Sequence, residues 1–293
     1  MRKTVAIIGA GKVGRSLGRA LALSGSFEIS SACNRTAARA DESVRFIGAG
    51  MPATDPVVAA GEAGLVLVTT SDSAIKLVCD AIASRGGFRK GAVVLHVSGA
   101  LTAEVLAGAR KCAAHIGSFH PLQTFPEAAV DPRSFEGVTC VYEGDARAES
   151  AVRAIVSALN GVAVHIEADE KPLYHAASVL ACNCMVALID AALEAFDAAG
   201  IPRKSAMTGV MPLVARTVEN IGRIGTVAAL TGPVARGDVQ TVVRNVEAIR
   251  KRVPHLAGMF AELGLRAVEV ALRKAAISQE TALELRRVLG EKR

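Results

Sequence analysis

Two kinds of hydrophobic pattern divide the chain near residue 167. Before it, short apolar runs rich in Val, Ile, Leu and Ala alternate with stretches in which apolar residues recur at helical spacing. Such runs predict buried strands, and their alternation with helices predicts a doubly wound, mostly parallel sheet. The predicted strands are Val5–Ile8, Phe27–Cys33, Gly64–Thr69, Ala92–Ser98, His115–His120, Val138–Tyr142 and Gly161–Ile166.

The second half of the chain shows only helical spacing. Composition shifts at Glu167–Pro172, and from Leu173 onward the pattern predicts helices alone. The first of them, Tyr174–Ala199, is apolar almost all round, which predicts burial on every side, a second subunit included among its neighbours. The other predicted helices are Lys204–Asn220, Thr226–Leu230, Val239–Arg252, His255–Gly264, Leu265–Ala275 and Gln279–Leu289.

We therefore expect an α/β Rossmann domain over residues 1–167 and an all-α domain over residues 168–293. The first strand runs into Gly9-Ala10-Gly11-Lys12-Val13-Gly14, and a helical pattern follows. This spacing lets the backbone turn tightly and present amides to a pyrophosphate, while the helix N-terminus adds partial positive charge. All six residues are predicted to bind a dinucleotide. The alternative is a Rossmann-like fold that has lost its ligand.

The end of the second strand indicates which dinucleotide is bound. Sites for NAD usually place a carboxylate there to grip the ribose hydroxyls. This chain has Asn34 and Arg35 instead, and an arginine suits a 2′-phosphate. We therefore predict NADP, with Asn34 and Arg35 as cofactor-binding residues. Alternatively, Arg35 caps a solvated turn.

Small polar residues end two further predicted strands at the edge where open α/β sheets bind ligands. Thr69, Thr70 and Ser71 follow the third strand, and Ser98 and Gly99 follow the fourth. We predict that all five contact the nicotinamide half of the cofactor. An N-cap cluster for the next helix, through Asp72 or Ser73, explains the first group equally well and does not exclude that role.

A His-Pro turn follows at the end of the fifth predicted strand. Pro121 holds His120 extended, and Ser118, Gln123 and Thr124 lie close by in sequence. His120 is either a general acid or base or a hydrogen-bonding partner of the substrate, or else a structural residue that ties down the loop; Gln123 is predicted to contact substrate. The histidines at positions 96, 115 and 165 are interpreted as packing residues.

Several polar residues share one stripe of the otherwise apolar helix that follows residue 171. Lys171, His175 and Ser178 are spaced i, i+4 and i+7, and Asn183 falls on nearly the same stripe. Buried polar residues are costly unless they face a cavity, so this stripe is a candidate catalytic wall. Either Lys171 or His120 could give the proton in hydride transfer to a carbonyl, with Asn183 or Ser178 orienting the oxygen. Ordinary polar helix ends are the alternative.

One loop between predicted helices is unusual. Leu230–Asp238 contains two glycines, a proline and an Arg-Gly-Asp sequence. We predict that Arg236 and Asp238 bind substrate; a simple linker in which Asp238 caps the next helix is equally possible.

Composition narrows the functional classes. Aromatic residues make up only 3% of the chain and Trp is absent, which argues against a stacking platform for nucleic acid. The net charge is +6, but Lys and Arg are scattered along the sequence, which indicates a solvated surface with at most a modest attraction for anions. The six cysteines form no CxxC pair, so neither metal binding nor disulfides are predicted. We expect a cytoplasmic protein without a signal peptide or membrane span.

The order of the two predicted domains resembles the 6-phosphogluconate dehydrogenase-like superfamily. The strings Gly117–Phe125, Tyr174–Ala177 and Leu230–Asp238 resemble a branch with a Rossmann-like NADP-oxidoreductase domain followed by a domain of unknown function. The resemblance implies NADP in the N-terminal domain and a homodimer with interlocking helical domains. His120-Pro121 resembles the His-Pro of prephenate dehydrogenases, whose histidine contacts substrate.

Lys171 resembles the lysine of the Lys-x-x-x-Asn motif of β-hydroxyacid dehydrogenases, although His175 stands where that family has Asn. The branch also implies a ketopantoate reductase as the named candidate. We therefore expect an NADP-dependent enzyme that reduces a small oxo acid. The alternatives are a redox step on an imine or a cyclohexadienyl acid, as in prephenate-type dehydrogenases, and a non-catalytic dinucleotide-binding protein.

Overall fold

The protein is described from a computed structural model that covers residues 3–128 and 131–290. Two compact units divide the chain, one up to Leu180 and the other from Ala181 onward. The first unit therefore extends beyond the sheet to include the helix that starts at Lys171, whereas the composition shift suggested a boundary at residue 167.

An eight-stranded sheet forms the centre of the first unit, in the order β3-β2-β1-β4-β5-β6-β7-β8. Every neighbouring pair is parallel except β6 and β7. This confirms the predicted doubly wound, mostly parallel sheet. The strands are β1 Lys3–Ile8, β2 Phe27–Cys33, β3 Met51–Ala53, β4 Leu65–Val68, β5 Val93–His96, β6 His115–Pro121, β7 Thr139–Gly144 and β8 Val162–His165.

Helices cover both faces of this sheet, and each face has its own buried apolar cluster. The helices are α1 Lys12–Leu23, α2 Ala37–Ile47, α3 Pro56–Ala60, α4 Asp72–Ser84, α5 Ala146–Ala158 and α6 Lys171–Ala181, with 3₁₀ helices at Ala103–Cys112, Pro132–Phe135 and Ala168–Glu170. The sequence pattern did not predict β3 or α3, because neither is long enough to show a period.

Glycine permits the close packing of α1 on the sheet. A Cβ placed on Gly18 would lie 2.4 Å from the Cδ1 of Ile7, which is buried in β1. Because that distance is well below van der Waals contact, a larger residue would push the helix away from the strand. The glycine loop joins β1 to α1, and the close packing of these two elements therefore fixes both ends of the loop.

The second unit is all-helical within the described residues, as predicted. Its helices are α7 Asn183–Ala198, α8 Arg203–Ala229, α9 Val239–Arg252, α10 Ala257–Arg273 and α11 Gln279–Leu289, with a 3₁₀ helix at Pro254–Leu256. A core of Val242, Val246, Val268 and Leu285 joins α9, α10 and α11.

Two predicted helix boundaries were wrong, whereas a third was confirmed. The helix predicted over Tyr174–Ala199 is interrupted at Cys182, whose backbone angles (φ −117°, ψ −68°) depart from a regular helix. The break predicted between the helices Lys204–Asn220 and Thr226–Leu230 is found at Gly225, whose backbone angles (φ 79°, ψ 164°) are not helical. Gly264 does not end a helix: it lies within α10, where a Cβ would come 2.6 Å from the Cδ2 of Leu289. There glycine permits close helix packing and leaves the helix unbroken.

The burial predicted for the apolar helix does not occur within one chain. By length and composition, the segment Ala168–Ala198 could cross a membrane. Only 6% of its apolar 18-residue stretch is buried. One such segment is weak evidence for a span, since an apolar helix in an interface has the same composition. Large exposed side chains on α7 and α8 include Val186, Leu213 and Val218. These two helices therefore present an uncovered apolar surface.

Candidate active site

The glycine loop lies at the carboxyl edge of the sheet, between β1 and α1. Gly9 has φ +83°, and a Cβ there would lie 2.4 Å from the Cγ2 of Thr70; a Cβ on Gly14 would lie 2.3 Å from the Oγ1 of Thr69. No side chain caps α1, and its first turn holds no acidic residue. The free amides and positive end of this helix fit an anionic group such as a pyrophosphate.

Asn34 holds this loop in place. Its Nδ2 donates to the carbonyl oxygen of Ala10 (3.3 Å), and its Oδ1 accepts from the Oγ of Ser43 (3.1 Å). The backbone N–H groups of Gly9 and Ala10 both donate to the carbonyl oxygen of Cys33. The amide of Asn34 is thus engaged in supporting the loop, a role that its position at a strand end did not reveal.

Arg35, the next residue, is exposed and makes no hydrogen bond or ion pair within the described part of the chain. The side chain of Thr36 caps α2 by accepting from the N–H of Arg39 (3.4 Å). Because the capping position is already occupied, the guanidinium of Arg35 is available for an external anion.

The polar strand ends at β4 and β5 mostly bond to one another. Thr69 Oγ1 donates to the carbonyl oxygen of Gly9 (3.0 Å), and Ser98 Oγ donates to Asp72 Oδ2 (2.7 Å). Ser71, rather than Asp72 or Ser73, stands at the N-cap position of α4, and its side chain makes no capping hydrogen bond to the described residues. Thr70 differs, because its Oγ1 is buried without a hydrogen-bond partner among the described residues. This hydroxyl is the best-placed side chain of the group to bind a ligand.

Two histidine rings lie against Gly99 at the end of β5, and the Tyr174 ring lies against one of them, that of His120. His120 Nδ1 lies 2.7 Å from the hydroxyl of Tyr174, and the His120 and His175 rings lie 6.0 Å apart in an edge arrangement. A Cβ on Gly99 would come 2.6 Å from His175 Nδ1 and 3.0 Å from His120 Cε1. His175 Nδ1 is buried without a partner among the described residues. Residues far apart in sequence thus form one cluster at the sheet edge that carries the glycine loop.

Burial sets the protonation of this cluster. It lowers the pKa of His120 to about 4, with electrostatic repulsion from His175 and Lys171 acting in the same direction. Burial also raises the pKa of Tyr174 above its usual value. At neutral pH the pair therefore consists of a neutral imidazole and a protonated phenol. If the phenol donates to Nδ1, the imidazole keeps its proton on Nε2, the nitrogen nearer to Gly99.

Lys171 lies beneath the cluster and is only 1% exposed. Its Nζ donates to Ser118 Oγ (2.6 Å) and to the carbonyl oxygen of Ser98 (3.2 Å), and lies 4.0 Å from Glu143 Oε1. Burial lowers the pKa of Lys171 to about 8, against the opposing effect of the Glu143 and Asp72 carboxylates. The ammonium joins the start of α6 to β5 and β6, and thereby fixes Tyr174 and His175 one turn later.

The other predicted site residues have different surroundings. Ser178 Oγ donates to the carbonyl oxygen of Tyr174 within α6 (3.0 Å). Gln123 uses both ends of its amide inside its own loop, donating to Ser134 O and accepting from Thr124 N. Asp238 caps α9 by accepting from the N–H of Thr241 (3.0 Å), as the alternative interpretation allowed. Asn183 and Arg236 also belong to the second unit, and their contact with substrate stays a prediction.

Sequence analysis missed two residues of the site. Tyr174 was named only as the first residue of the apolar helix and of one family-like string, and Glu143 was not considered. Glu143 stands opposite Ser118 because β6 and β7 are antiparallel. It accepts from Ser118 Oγ (2.8 Å) and from the N–H of Ala103 (2.7 Å). A carboxylate directly after the predicted strand Val138–Tyr142 was the signal in the sequence.

Replacing Gly99 by alanine tests the geometry of the three rings. The added Cβ would overlap His175 Nδ1, so both histidine rings must move, and we expect turnover to fall by at least about tenfold, as when a catalytic donor is displaced. Steady-state kinetics measures the effect, and Gly258→Ala, where no atom lies within 4 Å of the new Cβ, is the matched control. Equal activity of Gly99→Ala and Gly258→Ala would contradict this arrangement of the rings.

Two buried histidines predict a loss of stability in mild acid. Burial lowers the pKa of both His96 and His120 to about 4 from 6.5. Their contribution is complete above pH 6.5 and is lost as the pH falls toward 4, because the unfolded chain takes up these protons first. Denaturant unfolding between pH 7 and pH 5 should show this decrease in the free energy of unfolding. The double variant His96→Gln/His120→Gln should show a shallower decrease; the same slope in both proteins would contradict the assignment.

Comparison with known families agrees with the two-part fold. Residues 1–121 match the Rossmann-like domain family, and residues 138–267 match a domain of unknown function, DUF2520. This confirms the predicted order of a Rossmann-like domain followed by a helical domain of unknown function. A search of the curated proteins finds no match.

Several solved structures share the fold over nearly the whole chain. Protein TM1727 from Thermotoga maritima is 25% identical, with a TM-score of 0.74 over 92% of this chain and 99% of its own. The proposed NADP oxidoreductase BF3122 from Bacteroides fragilis is 23% identical, with a TM-score of 0.73 over 92% of this chain and 98% of its own. An imine reductase from Myxococcus stipitatus, solved with NADP⁺, is 18% identical, with a TM-score of 0.62 over 92% of this chain and 94% of its own. At these identities the likeness concerns the fold.

Proposed function

We propose that this protein is an NADP-dependent oxidoreductase that transfers a hydride to or from a small oxo or hydroxy acid. One observation carries the proposal: the hydrogen-bonded His120–Tyr174 pair lies at the same edge of the sheet as the uncapped N-terminus of α1. A dinucleotide site and a proton donor at one edge of the same sheet are the two parts that carbonyl reduction requires.

The cofactor half of the proposal rests on the glycine loop and Arg35. Close packing of Thr69 and Thr70 against Gly14 and Gly9 leaves room for backbone only, which allows a pyrophosphate to approach the amides. The exposed guanidinium of Arg35 suits a 2′-phosphate. Two proteins with this fold carry NADP or NADP⁺ in their names, which supports the choice of NADP over NAD.

When bound, the nicotinamide would supply or take up the hydride. In the reducing direction, His120 Nε2 gives its proton to the substrate oxygen while Nδ1 takes the phenol proton of Tyr174. The imidazole ends neutral in its other tautomer, and the phenolate of Tyr174 regains a proton from solvent. His175 Nδ1, which is buried without a partner, offers a hydrogen-bonding position for the substrate beside Gly99. In this mechanism Lys171 positions the residues above it and does not touch substrate.

A panel of substrates under NADPH oxidation tests the reaction class. We expect a 2-oxo acid to be reduced, with ketopantoate as the first candidate because of the family resemblance. Cyclic imines with a carboxylate and, in the oxidative direction, a cyclohexadienyl acid belong in the same panel. Reduction of imines alone would replace the proposed class, and NADPH binding without turnover on any compound would leave a dinucleotide-binding protein.

We further propose that the working form is a cytoplasmic homodimer joined through the helical unit. The exposed apolar side chains of α7 and α8 support this, because a patch of this extent is costly in water unless a partner covers it. All six cysteines are free thiols, which suits a reducing compartment. Light scattering should give twice the chain mass, and Val186→Glu/Val218→Glu should give the chain mass; a monomeric wild type would contradict the dimer.

A further inference from the structure

A cavity opens at the edge of the sheet that lies opposite the candidate active site. It has a volume of about 640 Å³ and lies where β1, β4 and β5 begin. The glycine loop follows the other end of β1, about 20 Å away for a strand of this length. The volume falls within the range of small-molecule sites in proteins, and the wall is built from the sheet backbone and α5.

Four cations from three separate parts of the sequence line this cavity. Lys3 starts β1, Arg89 and Lys90 precede β5, and Arg147 lies in the first turn of α5. No carboxylate lines the cavity within the described residues. The fold thus concentrates positive charge that is dispersed along the sequence.

These four side chains have no hydrogen-bonding or ion-pair partner among the described residues, and each of them is exposed. Most other arginines of the first unit have such a partner. Four other surface arginines of this unit form carboxylate pairs, namely Arg85–Asp55, Arg110–Asp145, Arg133–Asp131 and Arg153–Glu149. Arg147 is also close to the positive end of α5, where a cation is unfavourable. A bound anion would relieve both the repulsion among the cations and this mismatch.

We propose that this cavity is a binding site for a small polyphosphate anion. Guanidinium groups bind phosphate oxygens in pairs and the lysines add point charge, so four cations around one concavity suit a ligand with several phosphate charges. Because the cavity is separate from the glycine loop, ligand and cofactor can occupy the protein together.

Calorimetric titration with tripolyphosphate at low ionic strength, with NADPH present at saturation, tests the site. We expect one ion to bind per chain, and binding to weaken as salt is added. The triple variant Arg89→Gln/Lys90→Gln/Arg147→Gln should lower the affinity by at least about tenfold, which corresponds to about 1.4 kcal/mol. The control Arg45→Gln/Lys111→Gln/Arg266→Gln removes the same charge at exposed positions elsewhere and should bind within about twofold of the wild type, because distant surface charges are screened.

Each result separates the proposal from its alternatives. Equal weakening in both triple variants would mean diffuse attraction to a basic protein and would overturn the site, as would the absence of binding by the wild type. Tighter binding of duplex DNA than of tripolyphosphate through the same residues would replace it with a nucleic-acid surface. NADPH is titrated separately on all three proteins: loss of NADPH binding bears on the proposed function, and loss of tripolyphosphate binding bears on this cavity.

Discussion

Replacing His120 by phenylalanine is expected to lower turnover by about 100-fold, which is typical for the loss of a positioned proton donor. The ring shape is kept, but both nitrogens are lost, so neither Tyr174 nor the substrate oxygen has its partner. Tyr174→Phe should reduce turnover by a similar factor, because in our mechanism the phenol supplies the proton that the imidazole passes on. The measurement is kcat with the active oxo acid, together with the dissociation constant of NADPH.

The two single variants and the double variant together test the relay. Because the residues act as one unit, His120→Phe/Tyr174→Phe should be little slower than either single variant. NADPH affinity should stay unchanged in all three, since the pair lies on β6 and α6 rather than on the glycine loop. Multiplicative losses would indicate two independent roles, and full activity of Tyr174→Phe would remove the phenol from the mechanism.

Replacing Lys171 by methionine should destabilise the fold by about 3 kcal/mol, as expected when one partner of a buried charged network is removed. Methionine is similar in length but leaves Ser98 O without this donor, and it leaves the carboxylate of Glu143 buried without a cation. Ser118 Oγ also loses the bond from Nζ. Denaturant unfolding at pH 7 gives the change in the free energy of unfolding.

A second substitution distinguishes the charge from the packing. Lys171→Met/Glu143→Gln should recover a substantial part of the loss, because glutamine can still accept from Ala103 N but carries no buried charge. Lys76→Met, which removes an exposed lysine paired with Asp80, is the control and should leave stability unchanged. Equal stability of Lys171→Met and the wild type would show that this network is not needed for folding.

Local sequence patterns predicted the fold because the central strands are buried on both faces and the helices are amphipathic. The long segments were found with their correct type, and the glycine spacing located the loop between β1 and α1. Boundaries failed where tertiary packing decides them. Gly264 reads as a helix end from sequence, yet it sits inside α10 because Leu289 packs against it. The reason for a glycine at position 264 therefore lies in the neighbouring helix α11 and not in the sequence around the glycine.

The candidate site was predicted in its parts but not in its arrangement. His120, His175 and Gly99 were each named from local motifs, and the structure brings them into one cluster. The roles of Lys171 and Asn34 depend on partners far along the chain, Ser118 in one case and Ala10 in the other. Likewise, the direction of β7 relative to β6, which places Glu143, is not encoded in the period of either strand. Spacing along one helix therefore suggested that Lys171 faces a cavity, whereas it is buried.

The distribution of positive charge likewise could not be predicted from local sequence. The lysines and arginines are dispersed along the sequence, so sequence alone indicated an ordinary solvated surface. Folding places Lys3, Arg89, Lys90 and Arg147 around one cavity, because the beginnings of neighbouring parallel strands meet at one edge. The clustering depends on strand order, which no local motif contains.

Calorimetric titration with NADPH and with NADH tests the central claim most directly, namely that the glycine loop and Arg35 form an NADP site. The account predicts one NADPH per chain, bound at least about tenfold more tightly than NADH, as expected for a charge-assisted contact to the 2′-phosphate. Arg35→Glu should abolish this preference, and Arg45→Glu, with the same charge change at an exposed position of α2, should retain it. Binding of neither dinucleotide, or tighter binding of NADH by the wild type, would contradict the claim.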